Sequence, residues 1–177
     1  MQTNNEYGRA LFMLCEEEGC ADSVYGELSD IVRILEESPK YIKLLDTPAL
    51  PKEEKLRLID EAFAPIDERV RNLIKILCEK HAVYSFFDAK KTYDSCYLES
   101  RKIEIVDAIT AVKMTDSQIE NLKIKLGEIC GKSIIVNNII NPDILGGMVL
   151  RYDGKQLDGS VKARLDRLSA GLKNTVI

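Results

Sequence analysis

Near residue 101 the spacing of apolar residues changes period, and that change dictates the architecture. Before it, apolar side chains recur at three and four residues, the repeat of a helix buried along one face; after it they gather in β-branched runs that partly alternate. Residues 5–18 read as a first helix with the stripe Tyr7, Ala10, Leu11 and Leu14, and with Phe12 and Met13 off that stripe. Gly19 ends it. Residues 21–37 read as a second helix with Val24, Leu28, Ile31, Val32 and Leu35 inward. Ser38-Pro39 restarts the chain, Ser38 as cap and Pro39 at the first helical position, for a short helix that ends near Thr47-Pro48. Pro51 opens a fourth, with Leu56, Ile59 and Phe63 inward, and Pro65 stops it. Asp67 begins a fifth, with Val70, Leu73, Ile74 and Leu77 as its core face and Ile76 off that face. A sixth runs from about Ser85 and carries Phe86, Phe87, Tyr93, Tyr97 and Leu98. Six helices with short connections imply an antiparallel bundle.

Residues 102–112 are rich in Ile, Val and Thr and read as a strand. Thr115-Asp116-Ser117-Gln118 is a capping box, in which the Thr hydroxyl and the Gln amide satisfy each other's free backbone donors. The helix behind it carries Ile119, Leu122, Leu126 and Ile129, and Gly131 suits its C′ position. Residues 133–140 read as a second strand. Asn141-Pro142-Asp143 is turn chemistry, after which Gly146-Gly147 opens a strand over 148–152. Asp153-Gly154 is a tight hairpin turn into a short strand over 155–157. Asp158-Gly159-Ser160 then starts a closing helix, capped by Ser160 or Asp158, with Val161, Leu165, Leu168 and Leu172 at helical spacing. The expected fold class is therefore α+β: a six-helix antiparallel bundle over residues 1–101 and a β-α-β-β-β-α module over residues 102–177.

Composition narrows the function. The formal net charge is -4 and the pI about 5.2, which argues against the basic stripe of a nucleic-acid protein. No apolar run is long enough to span a bilayer. The first nine residues are polar, so neither a secretory signal nor a transit peptide is visible. Cys15, Cys20, Cys78, Cys96 and Cys130 are scattered and odd in number, which reads as reduced thiols. His81 is the only histidine, so neither a metal site nor a Ser-His-Asp set built on Ser160 is expected, and no cofactor is implied. His81 lies where an imidazole meets the last carbonyls of a helix. Gly146-Gly147 matches no phosphate-loop pattern; two glycines there relieve strain or let another backbone approach. Glu16-Glu17-Glu18 reads as a solvated helix end, and Lys162, Arg164 and Arg167 as a basic end face, either ordinary surface charge or a dock for acidic partner helices. The surplus apolar positions Phe12, Met13 and Ile76 are either covered by neighbouring helices or form the exposed stripe that a helix-in-groove contact needs.

One resemblance covers nearly the whole chain. Gly146-Gly147-Met148-Val149-Leu150-Arg151, a hairpin, then Leu157-Asp158-Gly159-Ser160-Val161-Lys162-Ala163-Arg164-Leu165 resembles the C-terminal signature of the delta subunit of F-type ATP synthase, the family of the mitochondrial oligomycin-sensitivity-conferring protein. Tyr7-Gly8-Arg9-Ala10-Leu11-Phe12 resembles that family's opening helix, with Gly8 in place of the usual alanine. Lys55, the segment Asn72 to Leu77 and the Thr115 helix follow the family's order. The resemblance implies a non-catalytic stator subunit, present once in a hetero-oligomer on the cytoplasmic face of a bacterial cell membrane. Its bundle would bind the N-terminal helix of an alpha subunit in a groove between helices one and five, with Tyr7, Ala10, Phe12, Met13, Ile76 and Lys80 in that groove. Its C-terminal module would meet the b subunits of the peripheral stalk, with Lys162, Arg164 and Arg167 as stalk-facing positions. The competing reading is a small nucleotide-binding regulator that uses the glycine-rich hairpin formed by Gly146, Gly147, Asp153, Gly154, Asp158, Gly159 and Ser160.

Overall fold

The computed structural model describes residues 4–47, 50–152 and 154–163. The chain divides into two compact units, Met1–Leu98 and Glu99–Ile177, and its class is α+β. In the described residues of the first unit are α1 (Asn4–Glu17), α2 (Ala21–Glu37), α3 (Pro39–Asp46), α4 (Lys52–Ala62), α5 (Glu68–Glu79) and α6 (Ser85–Ser100), whose last two residues pass the boundary. All six contribute to one apolar core, from Leu11 and Cys15 of α1 through Leu28, Ile31, Ile42, Ile59 and Leu77 to Phe86 and Tyr93 of α6. The helical stripes expected for α2 and α5 are the ones buried: Val24, Leu28, Ile31 and Leu35, and Val70, Leu73, Ile74 and Leu77.

Local signals explain where the helices begin. The Asp67 carboxylate accepts from the Arg69 N–H at 2.8 Å and caps α5. Pro39 occupies the first turn of α3 as expected, but the Ser38 hydroxyl makes no capping bond. At the end of α1, Gly19 is left-handed (φ +71) and the Cys20 N–H returns to the Cys15 carbonyl at 2.9 Å, a Schellman closure. The imidazole Nδ1 of His81 lies 3.2 Å from the carbonyl oxygen of Asp46, the last residue of α3.

The face of α1 differs from the expected one. The buried positions are Gly8, Leu11 and Cys15, with Phe12 half-buried; Ala10 is exposed and Leu14 is 41% exposed. The cause is a close approach to α6. A Cβ on Gly8 would run into the Ala89 carbonyl oxygen and stand 2.9 Å from the Thr92 Cβ. Glycine lets the two backbones touch, and α1 is rotated about its axis to exploit that contact.

The second unit holds β1 (Ile103–Thr110), α7 (Asp116–Cys130), β2 (Ser133–Ile140), β3 (Met148–Tyr152) and β4 (Lys155–Asp158). The sheet order is β2-β1-β3-β4, with β1 parallel to β2 and antiparallel to β3, and β3 antiparallel to β4. α7 is the crossover a parallel pair requires. It lays Ile119, Leu122 and Leu126 on Val106, Ala108, Ile134 and Leu150. The expected fourth member of that stripe, Ile129, is 79% exposed: Glu128 and Cys130 are exposed as well, so the final turn of α7 stands off the sheet. The Thr115–Gln118 capping box is formed, and Gly131 ends α7 in the left-handed region. β1 stops at Thr110 rather than at residue 112, because the Thr110 hydroxyl donates to the Val112 carbonyl at 2.8 Å and turns the chain. Asp153, Arg164, Arg167 and the apolar positions Leu165, Leu168 and Leu172 lie outside the described residues.

Candidate partner-binding face

α1 and α5 are joined at both ends. Near the start of α1 the Lys80 ammonium donates to the Tyr7 hydroxyl at 2.6 Å and lies 5.2 Å from the centre of its ring. Past the end of α1, the Glu18 carboxylate pairs with the Arg69 guanidinium, which also holds Asp67 at 2.9 Å. Tyr7 opposite Lys80 and Glu18 opposite Arg69 make the helices antiparallel. Glu18 is therefore a tie and not the solvated helix end expected from its sequence.

Between those ties apolar side chains of both helices are exposed, with polar Asn72 of α5 exposed among them. Met13 is 57% exposed and Leu14 41% on α1, Ile76 is 45% exposed on α5, and Ala10 is exposed beside them. Phe12 does not belong to this surface. It turns into the core, where its ring meets the Tyr93 ring edge-on at 5.6 Å. Leu14 takes its place, a position the sequence stripe assigned to the interior. Counting the stripe from Gly8 instead of Tyr7 would have found it, as 8, 11, 12 and 15 also fall at helical spacing.

Beneath this face the core is rigidly bonded. The Tyr93 hydroxyl donates to the Ala21 carbonyl at 3.0 Å. Burial pushes the Cys15 thiol up to about 12, helped by the neighbouring Cys20 thiol, and burial with the Cys15 contact pushes the Tyr93 phenol up as well. Neither group ionises near neutral pH, and neither resembles an activated nucleophile.

The glycine-rich corner of the second unit is built to close on itself. Gly147 has φ +80, and a Cβ there would stand 2.5 Å from the Gly159 carbonyl oxygen and 3.0 Å from the Ser160 Cα. A Cβ on Gly146 would meet Val161 Cγ2 at 3.2 Å. The Gly159 N–H donates to the Met148 carbonyl and the Val161 N–H to the Gly146 carbonyl, both at 3.0 Å. The Ser160 N–H donates to Asp158 at 2.8 Å and the Ala163 N–H to the Ser160 hydroxyl at 3.2 Å, so both Asp158 and Ser160 cap this turn. The amides of Gly159, Ser160, Val161 and Ala163 are thus spent inside the corner and are not available to cradle a phosphate. Gly154 (φ +68) serves the β3–β4 turn, and Lys162 is exposed on the short described stretch that follows Ser160.

Fold and surface together define an interaction protein, made of a helical unit with an apolar interhelical face and a small mixed-sheet unit closed by glycines. The comparisons identify which. Residues 3–172 match the family described as ATP synthase delta (OSCP) subunit, and the chain belongs to that family. It is 31% identical over 176 residues to the ATP synthase subunit delta of Clostridioides difficile (strain 630), covering 97% of this chain and 96% of the relative. Against the ATP synthase subunit delta of Protochlamydia amoebophila (strain UWE25) the identity is 33% over 167 residues, covering 94% and 92%. A chain in the cryo-EM structure of the Toxoplasma gondii mitochondrial ATP synthase hexamer shares the fold, with a TM-score of 0.73 at 21% identity over 97% of this chain and 98% of that one. No helix among the described residues is long and apolar enough to cross a membrane.

Proposed function

We propose that this chain holds the catalytic head of an ATP synthase to its peripheral stalk, so that rotation driven by proton flow does work on catalytic sites in other subunits. The helical unit, a six-helix antiparallel bundle over residues 1–101, receives the N-terminal amphipathic helix of an alpha subunit. The module over residues 102–177 meets the b subunits, with Lys162, Arg164 and Arg167 facing acidic stalk helices. One copy serves each complex, on the cytoplasmic side of a bacterial membrane, with no cofactor and no chemistry of its own.

The observation that carries this reading is the α1–α5 face. Ala10, Met13, Leu14 and Ile76 offer an apolar strip between two antiparallel helices fastened at each end by Tyr7–Lys80 and Glu18–Arg69. A helix laid in such a groove buries its i, i+3, i+4, i+7 stripe. Ile76→Glu places an unpaired charge in the contact, at a cost of at least ~2 kcal/mol. Titration of the complex's own alpha-subunit N-terminal peptide is expected to show binding weakened at least ~30-fold, with an unchanged fold because Ile76 is exposed in the free protein. Equal affinity for variant and parent would overturn the assignment.

A further inference from the structure

The joint between α1 and α2 carries two cysteines that the stator role does not use. Cys15 and Cys20 are the two residues that the Schellman closure of α1 joins: the Cys20 N–H reaches the Cys15 carbonyl at 2.9 Å, and the Gly19 N–H the Glu16 carbonyl at 3.3 Å. Such a closure brings the side chains of its two outer positions together, commonly as an apolar contact. Here the contact is between two thiols, which hydrogen-bond one another. A direct N–H···O bond between two residues keeps their α-carbons within about 6.8 Å, the upper end of the range a disulfide spans.

The rest of the joint holds both residues in place. The Cys20 carbonyl accepts from the Val24 N–H at 3.1 Å and from the Ser23 hydroxyl at 2.9 Å, which fixes Cys20 as the N-cap of α2. The Tyr93 hydroxyl donates to the next carbonyl, that of Ala21, at 3.0 Å. Cys15 is 0% exposed, whereas Cys20 is partly open to water. A small reagent therefore reaches one residue of the pair and not the other, although their thiols touch. That asymmetry is the arrangement of a redox-sensing thiol beside a resolving one. Cys78, also buried, is engaged elsewhere: its thiol donates to the Leu45 carbonyl at 3.5 Å.

We propose that Cys20 and Cys15 form a peroxide-responsive pair, which closes to a disulfide and turns the hydrogen-bonded α1–α2 joint into a covalent one. The Cys20 sulfur attacks one oxygen of the peroxide. The O–O bond breaks, Cys20 becomes a sulfenic acid, and the second oxygen leaves as hydroxide and takes the Cys20 thiol proton to form water. The Cys15 sulfur then attacks the Cys20 sulfur, the S–O bond breaks, and the departing hydroxide leaves with the Cys15 proton as a second water. Two electrons pass from the sulfur pair to the peroxide, and the two waters carry away its oxygens, its hydrogens and both thiol protons. Burial, which pushes the Cys15 thiol up to about 12, slows the second step, so closure should quicken as pH rises. Contact between the sulfurs offsets that cost by making the attack intramolecular. Glu18, whose carboxylate pairs with Arg69, lies inside the ring this disulfide closes, so oxidation fastens the same end of α1.

The test uses the full chain carrying Cys96→Ser and Cys130→Ser, which leaves Cys15, Cys20 and Cys78. Hydrogen peroxide is added to the folded protein, remaining thiols are alkylated, and fragments are mapped by mass spectrometry without reductant. The expected product is a Cys15–Cys20 disulfide, lighter than the dithiol by two hydrogens, formed faster at about pH 9 than at about pH 7 and reversed by dithiothreitol. Cys15→Ala removes the resolving thiol; dimedone, which traps sulfenic acids, should then label Cys20 at least ~10-fold more than in the chain that keeps Cys15. Mapping of the chain that keeps Cys15 does not depend on that variant folding. Persistence of both thiols in the folded chain, passage of Cys20 to sulfinic acid while Cys15 stays reduced, a disulfide to Cys78 or between chains, or equal dimedone labelling with and without Cys15 would each overturn the pair.

Discussion

The Lys80 ammonium and the Tyr7 hydroxyl bond at 2.6 Å, with the charge 5.2 Å from the tyrosine ring, and so tie the end of α5 to the start of α1. Both residues are partly open to water, so the tie is worth a modest amount, ~0.5–1 kcal/mol for the cation–π part. Its larger role is to hold one end of the apolar strip. A double-mutant cycle on Tyr7→Leu and Lys80→Met should give a coupling of ~0.5–1 kcal/mol in urea unfolding, and zero coupling would show that the pair is incidental.

Gly8→Ala tests the contact that rotates α1. Helix propensity alone favours alanine by ~1 kcal/mol. Against that, the new methyl meets the Ala89 carbonyl and the Thr92 Cβ, an overpacking of the kind that costs ~1–3 kcal/mol. Net destabilisation of the helical unit is the expected outcome in urea titration; a more stable variant would show that α1 and α6 can part without cost.

Gly147→Val tests the corner of the second unit. The side chain would collide with the Gly159 carbonyl and force φ +80 on a β-branched residue. Overpacking contributes ~1–3 kcal/mol and the left-handed backbone ~1–2 more. Melting should show the second unit lost and the helical unit retained. Under the proposed function, membranes carrying this variant should hydrolyse ATP but fail to couple proton flow to synthesis; normal synthesis would remove these glycines from the clamp.

A fragment of residues 1–101 should fold unaided into a helical bundle, because the core of Leu11, Leu28, Ile31, Leu77, Phe86 and Tyr93 closes within it. Circular dichroism should show a cooperative melt, and a gradual, non-cooperative loss of helix would contradict the idea.

The buried Cys15 thiol and the half-buried Tyr41 phenol set an alkaline limit on stability. Cys15 titrates near 9.0 when unfolded and at about 12 when folded, and Tyr41 moves from 10.0 to about 12, each through burial first. Their contributions are full below the unfolded values. As pH rises above them the unfolded chain loses protons that the folded chain keeps, so stability falls from about 9 towards about 12. Urea midpoints should decline through that window, with a shallower slope for Cys15→Ala. At neutral pH a thiol reagent should reach exposed Cys130 well before Cys15 or Cys78.

What was legible in the sequence is local. The limits of β2 and β3 follow from β-branched runs bounded by Gly131 and by Gly146-Gly147, and the start of α7 from its capping box. The core faces of α2 and α5 follow from strong periodicity. The face of α1 did not, because Gly8 carries no hydropathy signal while its lack of a Cβ decides which side meets α6. Phe12, off the expected stripe, is half-buried against the core, and Leu14, on it, is largely exposed, both consequences of that single rotation. Ile129 satisfies the α7 stripe by spacing but falls in a turn beyond the sheet.

The central position of β1 also bears on synthesis. β1 is the first strand made, and both its edges stay open until β2 and β3 arrive; Ala108 pairs with Asn138 on one side and with Leu150 on the other. The ribosome adds ~5–20 residues per second, so β1 emerges seconds before its second partner. The helices of the first unit, whose contacts are more local, form on far shorter timescales. The sheet unit is thus the later of the two to mature.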